Sequence, residues 1–370
     1  MTPKIRLKGF NGEWKTCKLG DVAKVLRGVR VTRQQLTQDG CYPVYQNTNY
    51  PLGYFNNYNV ESYNPFVILG GSAGLVGFSN CKFWAADDCA FFNESKIIDK
   101  YWLYCILQLN KSLIKKNVRG SSVPRLERSA LSNLEINVPS LPEQRALATF
   151  FTSLDNQISV AEKRLASLKQ VKAASLQAMF PQEGETTPKL RFKGCEGEWK
   201  KVKLEYIYTL SAAGDLRKEL FSLVKDKKHP YPVFSNSLED AGLYGYTSEY
   251  RYEKDALTIT GRGTLGHTEY RTECFDAIIR LLILQPKKVI CNIFIKEYIN
   301  HKRPFVYEST GVPQLTIPQI KDVEVPVPSY EEQVKIASYF TTLDRQISAQ
   351  SSKISKLKQI KSACLDQMFV

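Results

Sequence analysis

Residues 143–180 read EQRALATFFTSLDNQISVAEKRLASLKQVKAASLQAMF, and residues 332–369 read EQVKIASYFTTLDRQISAQSSKISKLKQIKSACLDQMF. A shift of 189 positions superimposes them without a gap, and about half of the positions are identical. A period close to half of a 370-residue chain means two copies of one module, not a solenoid. Each copy reads as a helix. Ser140 and Glu143, like Ser329 and Glu332, stand at capping-box spacing, where the serine takes an orphan N–H and the glutamate reaches back to the cap. Pro142 falls in the first turn, where its missing N–H does little harm. Phe151, Leu154, Ile158, Ala161, Leu165 and Leu168 recur at three–four spacing, matched by Phe340, Leu343, Ile347, Gln350, Ile354 and Leu357. That is a heptad seam. About 38 residues at 1.5 Å rise make a rod of roughly 57 Å, too long to bury its stripe on itself. Either the two stripes pack on each other, or each helix caps its own half of the chain.

The remaining residues are enough for two domains of ordinary size, and 43% hydrophobic content allows real cores. The net charge is +14 and is not a tail: residues 1–185 carry 23 basic against 15 acidic side chains (+8), and residues 186–370 carry 28 against 22 (+6). Two basic halves suit a polyanion gripped by both, although a merely solvated basic surface has the same balance. Nine cysteines form no CxxC pair and no Cys/His ligand spacing, which argues against a zinc site and a disulfide scaffold. The first residues, MTPKIRLKGF, lack the apolar core of a signal peptide, and no apolar run approaches the length of a membrane span. A soluble cytoplasmic protein with reduced thiols is expected.

Both halves open on one phrase, PKIRLKGFNGEWK at 3–15 and PKLRFKGCEGEWK at 188–200, the second preceded by the polar linker 181–188. Within each half the reading is strand and loop. YPVY at 42–45 answers YPVF at 231–234, and FVIL at 66–69 answers ALTI at 256–259. Glycine-rich turns follow, GGSAGLVG at 70–77 and GRGTLG at 261–266. Residues 101–109 read as a helix, whereas 278–284 fit either strand or helix. GSSVPRL at 120–126 and STGVPQL at 309–315 precede the strand that feeds each long helix. Each half is therefore an α+β globule with a long helix attached. Between these anchors the loops differ strongly, as reading two different ligands requires; neutral drift has the same outcome.

Several motifs tempt. Gly261, Gly263 and Gly266 satisfy GxGxxG, but the following residues are charged and β-like, so a hairpin turn is the better reading than a dinucleotide site. Asn64-Pro-Phe66 is similar to the catalytic motif of amino-methyltransferases but lacks its second proline, and no glycine-rich S-adenosylmethionine signature accompanies it. Asp88 with Glu94 and Lys96 resembles a nuclease cluster that chance also produces. Nothing looks catalytic. More promising are amide-rich loops that can read base edges: Gln46, Asn47 and Asn49 beside Ser72 in the first half, and Asn236, Arg262, Thr264, His267 and Arg271 in the second. Lys116, Arg119, Lys227 and Lys228 are candidates for phosphates. Each of these residue types also populates ordinary turns.

Taken together, the opening phrases, the VPxL stretches and above all the PSxxEQ…FxxLDxQI…(L/I)xxLKQxK…LxxMF helices resemble the specificity subunits of Type I restriction–modification systems, over essentially the whole length. The resemblance implies two pseudo-twofold-related α+β target-recognition domains, 1–140 and 189–329, each reading half of a bipartite double-stranded DNA site. It makes 141–180 and 330–370 conserved spacer helices, paired as an antiparallel coiled coil around the linker 181–188. It implies docking of two modification (methyltransferase) subunits, to which restriction subunits add in some systems. The S-adenosylmethionine cofactor then belongs to the modification subunit and none to this chain. The second helix departs from the pattern in lacking a proline at Glu331 and in placing Gln350 in the seam. The competing classes are a self-contained methyltransferase or nuclease, and an adaptor that never touches DNA.

Overall fold

The computed structural model describes residues 2–37, 39–305 and 313–370. The chain divides into two compact units, Met1–Glu162 with Ser352–Val370, and Lys163–Ser351. The long helices run Leu141–Met179 and Tyr330–Met368, so each gives one part to either unit.

In the first unit Lys15–Lys18 pairs antiparallel with Glu135–Val138. Strands Val25–Arg27, Cys89–Phe92, Asn64–Ile68 and Val76–Ser79 form an antiparallel sheet in that order. Asn64–Ile68 is buried along its whole length, which is why it reads as an apolar run and not an alternation. Helix Lys100–Leu109 starts at Asp99, whose carboxylate accepts the N–H groups of Tyr101 and Trp102. It packs Trp102, Ile106 and Leu107 against Val67, Leu69 and Val76. Phe66 and Ile68 cluster with Phe83 and Ala85, joining that sheet to a second one of Gly53–Phe55, Tyr42–Tyr45 and Trp84–Ala85, the last strand parallel.

The second unit repeats this topology with different loops. Lys200–Lys203 pairs with Glu324–Val327, and the central sheet runs Tyr208–Ala212, Leu282–Pro286, Ala256–Ile259, Thr268–Arg271. The other sheet gains an edge strand, Phe221–Ser222, beside Leu243–Thr247, Tyr231–Phe234 and Asp276–Ala277. GRGTLG joins two antiparallel strands and no helix follows it, so it is the expected hairpin turn. Helix Asn292–Lys302 corrects the reading of this stretch as strand and loop. Its isoleucines are weak helix formers, and burial of Phe294, Ile295 and Ile299 against Leu257, Ile259 and Leu284 overrides propensity.

The helix pairing is antiparallel within each unit. In the first, Phe151 and Leu154 share a core with Met368 and Phe369 from the end of the second long helix. In the second, Phe340 and Leu343 share one with Met179 and Phe180. The terminal Met-Phe of each helix therefore plugs the globule that the other helix leaves, with Trp14 edge-on to Phe369 and Trp199 edge-on to Phe180. Both alternatives read from the sequence hold at once. Each helix caps its own half and pairs with the other. Along the seam Ile158, Ala161 and Ile354 are buried, and Leu165, Leu168, Ile347 and Leu357 partly so.

The capping boxes form only in part. Ser329 Oγ accepts the Glu332 N–H at 3.3 Å, but neither glutamate reaches back. Glu143 instead takes Nε and Nη2 of Arg6, both at 2.7 Å, and Glu332 takes those of Arg191 at 2.9 and 2.7 Å. Bidentate pairing to a carboxylate almost without exposure outcompetes a backbone N–H, and it explains why the opening phrase and the helix start recur together. Gln144 and Gln333 act as a second matched pair. Their amides accept the N–H of Asp99 and Cys291, at the start of each short helix, and donate to Pro139 O and Pro328 O.

Candidate nucleic-acid interface

Each unit brings some of its candidate residues together where its strand loops converge and leaves others apart, Lys227 and Lys228 on a separate loop and His267 facing Glu269. In the first, Tyr42–Tyr45 delivers Gln46 and Asn47, and Asn47 O accepts from Ser72 N at 3.0 Å. Gly71, at φ 79°, lies so close that a Cβ would meet Asn47 Cβ at 2.8 Å, which requires glycine there. Gly71 N donates to Pro124 O at 3.2 Å, and Arg119 and Arg125 exchange both backbone bonds at 2.8 Å. Asn47, Ser72 and Arg119 thus sit on one backbone-bonded node, all three exposed. The side chains of Asn47 and Arg119 have no partner among the described residues. Lys116 is exposed at the end of the short helix Lys111–Lys116, while Gln46 and Asn49 are half-buried. Tyr50, 75% exposed on the same loop, extends the candidate surface.

In the second unit Asn236 follows the matching strand, but its amide is engaged. Nδ2 donates to Ile279 O at 2.6 Å, and Oδ1 accepts from Gly261 N at 2.8 Å and Arg262 N at 3.3 Å. It holds the node together instead of offering a free amide. Arg262 and Thr264 project from the hairpin turn, both exposed, and the Thr264 carbonyl accepts the Thr260 hydroxyl. His267 is partly buried against Glu269, Nε2 to Oε1 at 2.8 Å. Burial acts to raise the Glu269 carboxyl, but the His267 bond and nearby Lys296 hold it below its ordinary value. Lys227 and Lys228 are exposed on a loop tied by Asp226, which accepts the Lys228 and His229 N–H groups.

Arg271 corrects the sequence reading. It is only 6% exposed, donates Nε to Thr258 Oγ1 at 3.0 Å and lies over the Phe234 ring at 3.7 Å. Burial lowers its guanidinium to about 10. A side chain held inside the sheet does not reach a groove; its burial follows from the distant partners Thr258 and Phe234, which local sequence does not mark.

The rejected motifs also find structural roles. Asn64 is buried in its strand and donates to Phe92 O, Asp88 faces Arg125 at 3.7 Å, and Glu94 faces Lys100 at 3.7 Å. No group of His, Cys, Asp or Glu among the described residues has the geometry to hold a metal ion, and no described helix is long and apolar enough to cross a membrane. Of the second VPxL stretch, Ser309 to Val312 lie outside the described residues.

The family model for the Type I restriction modification DNA specificity domain matches twice, at residues 11–170 and 196–359. A putative type I specificity subunit of Mycoplasma pneumoniae is 28% identical over 336 residues, covering 89% of this chain and 88% of its own. A Type I restriction enzyme specificity subunit of Methanocaldococcus jannaschii is 19% identical and covers 96% and 91%. The crystal structure of a Type I restriction–modification S subunit from M. genitalium superimposes with a TM-score of 0.77 over 100% of this chain and 99% of that one, at 20% identity.

Proposed function

This chain belongs to the Type I restriction–modification specificity-subunit family, and from that premise we propose that it is the non-catalytic DNA-recognition subunit of a methyltransferase complex. Each unit reads one half of a bipartite duplex site through its loop node. The long helices set the spacing of the two halves and dock two modification subunits, which bring the S-adenosylmethionine and the adenine chemistry. In systems that have restriction subunits, these join through that assembly.

One observation carries the reading. Two units of one topology present their equivalent nodes differently: Asn47 is displayed with Ser72 and Arg119 in the first, whereas its counterpart Asn236 is engaged and Arg262 and Thr264 are displayed in the second. Repetition of the scaffold with divergence confined to its convergent loops is what two different half-sites demand. The charge agrees, since each half of the chain is basic and phosphate neutralisation provides non-specific affinity before bases are read.

The test is to co-express the chain with its modification subunits and map methylated adenines. A bipartite motif with an unread spacer is expected, and exchange of residues 1–140 for those of a relative changes one half of it. A change in both halves, or in neither, overturns the assignment.

A further inference from the structure

We propose that Arg280 is a specificity-determining residue that reads a guanine edge. The inference rests on the DNA-recognition reading and adds to it a position that no sequence pattern marks. Ile279 and Arg280 both have left-handed backbone, φ 58° and 57°. For a β-branched residue that conformation is unfavourable, and it persists only where the surroundings impose it.

The surroundings do impose it. Ile278 N donates to Phe234 O at 2.9 Å, Ile279 N to Gly214 O at 3.1 Å, and Leu281 N closes the turn on Ile278 O at 3.2 Å. Arg251 Nη2 fixes the strand leading in, through Ala277 O at 2.8 Å. Asn236 Nδ2 holds Ile279 O, and a Cβ on Gly261 would come within 3.0 Å of Arg280 O. All of this order supports a turn whose two side chains are exposed. The Arg280 guanidinium has no partner among the described residues. A turn needed only to reverse the chain is served at lower strain by glycine or asparagine. Because Asn236 also fixes the N–H groups of Gly261 and Arg262, Arg280 and Arg262 are displayed from one rigid node.

The first unit carries the opposite charge at this place. Ala86 N donates to Tyr45 O as Ile278 N does to Phe234 O, so Asp88 corresponds to Arg280. Asp88 packs against Gly70 and faces Arg125, whereas the position equivalent to Arg125 in the second unit is Gln314. The charge inverts here between the two units, and the left-handed backbone that presents Arg280 is not shared by Asp88, so this is a place where the two half-sites differ. A guanidinium fork held on fixed backbone suits the O6 and N7 of guanine, whereas a phosphate contact needs only a mobile charge such as Lys227 or Lys228.

The experiment selects bound sequences from randomised duplex DNA with the full chain in complex with its modification subunits, comparing wild type, Arg280→Ala and Arg280→Lys. Wild type is expected to require guanine at one position of one half-site. Arg280→Ala makes that position degenerate and weakens binding to the wild-type sequence about 10- to 100-fold, the other half being unchanged. Arg280→Lys keeps the charge without the fork and does not restore the preference, and the thermal midpoints of all three agree because the side chain is unpartnered. Unchanged specificity in Arg280→Ala, or full rescue by lysine, overturns the proposal while leaving the DNA-recognition reading intact. Absence of any sequence preference in wild type overturns that reading itself, and this inference with it.

Discussion

Lys172 on the first long helix grips Asp344 on the second, Nζ to the two carboxylate oxygens at 2.7 and 2.8 Å, and Lys361 grips Asp155 in the same way at 2.5 and 2.7 Å with the helices exchanged. Lys172 and Lys361 are 189 positions apart, as are Asp155 and Asp344. The two pairs lie in different units, and each fixes the antiparallel register where it lies. Their surroundings differ. Lys172 also meets Glu297, only 4% exposed, at 3.2 Å, whereas Asp155 accepts the Tyr101 hydroxyl.

The matched lysines are therefore expected to be unequal. Lys172→Met leaves Glu297 with Lys296 alone and destabilises the second unit by about 1–3 kcal/mol, as for a partly compensated buried carboxylate. Lys361→Met removes its pair with Asp155 and a distant approach to the Tyr104 ring at 6.0 Å, for about 1 kcal/mol in the first unit. Burial alone would lower Lys172, but Asp344 and Glu297 raise it above its ordinary 10.5. Its contribution is thus complete below that pH and lost as pH rises through the higher folded value. Amide hydrogen exchange on the intact chain measures both: equal losses of protection in the two variants, or no alkaline loss in the second unit, would refute the asymmetry.

Gln144 and Gln333 make a sharper test of the duplicated frame. Gln333→Ala orphans the Cys291 N–H and the Pro328 carbonyl, and each buried group left unpaired costs about 1–3 kcal/mol. Protection should fall first at helix Asn292–Lys302, and Gln144→Ala should do the same at Lys100–Leu109. Uniform loss across the unit instead would place the glutamine in general packing.

The fold was legible where physics is local. Heptad spacing, proline boundaries and glycine turns each answer to a few neighbouring residues, and the long helices and hairpins follow from them. Helix Asn292–Lys302 was not, because its isoleucines favour strand and only the sheet beneath decides otherwise. Glu143 read as a cap because Arg6 is 137 residues away, a partner that spacing cannot reveal. The candidate sites divide similarly. Asn47 and Arg262 are on the surface as their loop setting implies, but whether an amide is free depends on distant carbonyls. Asn236 is engaged by Ile279, and Arg271 is enclosed by Phe234.

That division separates two kinds of loop variant. Asn236→Ala releases Gly261, Arg262 and Ile279 together, so it should abolish recognition of a whole half-site. Arg262→Ala should relax one base pair, at roughly 1–3 kcal/mol, and Lys227→Ala should weaken all sequences alike while reducing the salt slope by about one. Binding titrations on cognate and mismatched duplexes at several salt concentrations distinguish these. A single-position effect from Asn236→Ala would mean that its amide reads a base after all.

The helices as a ruler give the last prediction. The unit boundaries fall after Glu162 and after Ser351, positions that are themselves 189 residues apart. Insertion near Ala178 would disrupt the second core instead, since Leu176 packs there and Ala178 O accepts from Leu190 N. Four residues added at both boundaries lengthen each helix by about 6 Å and rotate it by about 400°, close to a full turn. At 3.4 Å per base pair, the unread spacer should grow by one or two base pairs while each half-motif survives. Two residues added at both places rotate by about 200° and should abolish methylation. Four residues added after Glu162 alone leave both lysine–aspartate pairs inside their own units but lengthen only one of the two helices, and should destabilise the helix pair without yielding a new spacer. A methylation map that keeps the original spacer after the double insertion would show that the distance is set elsewhere.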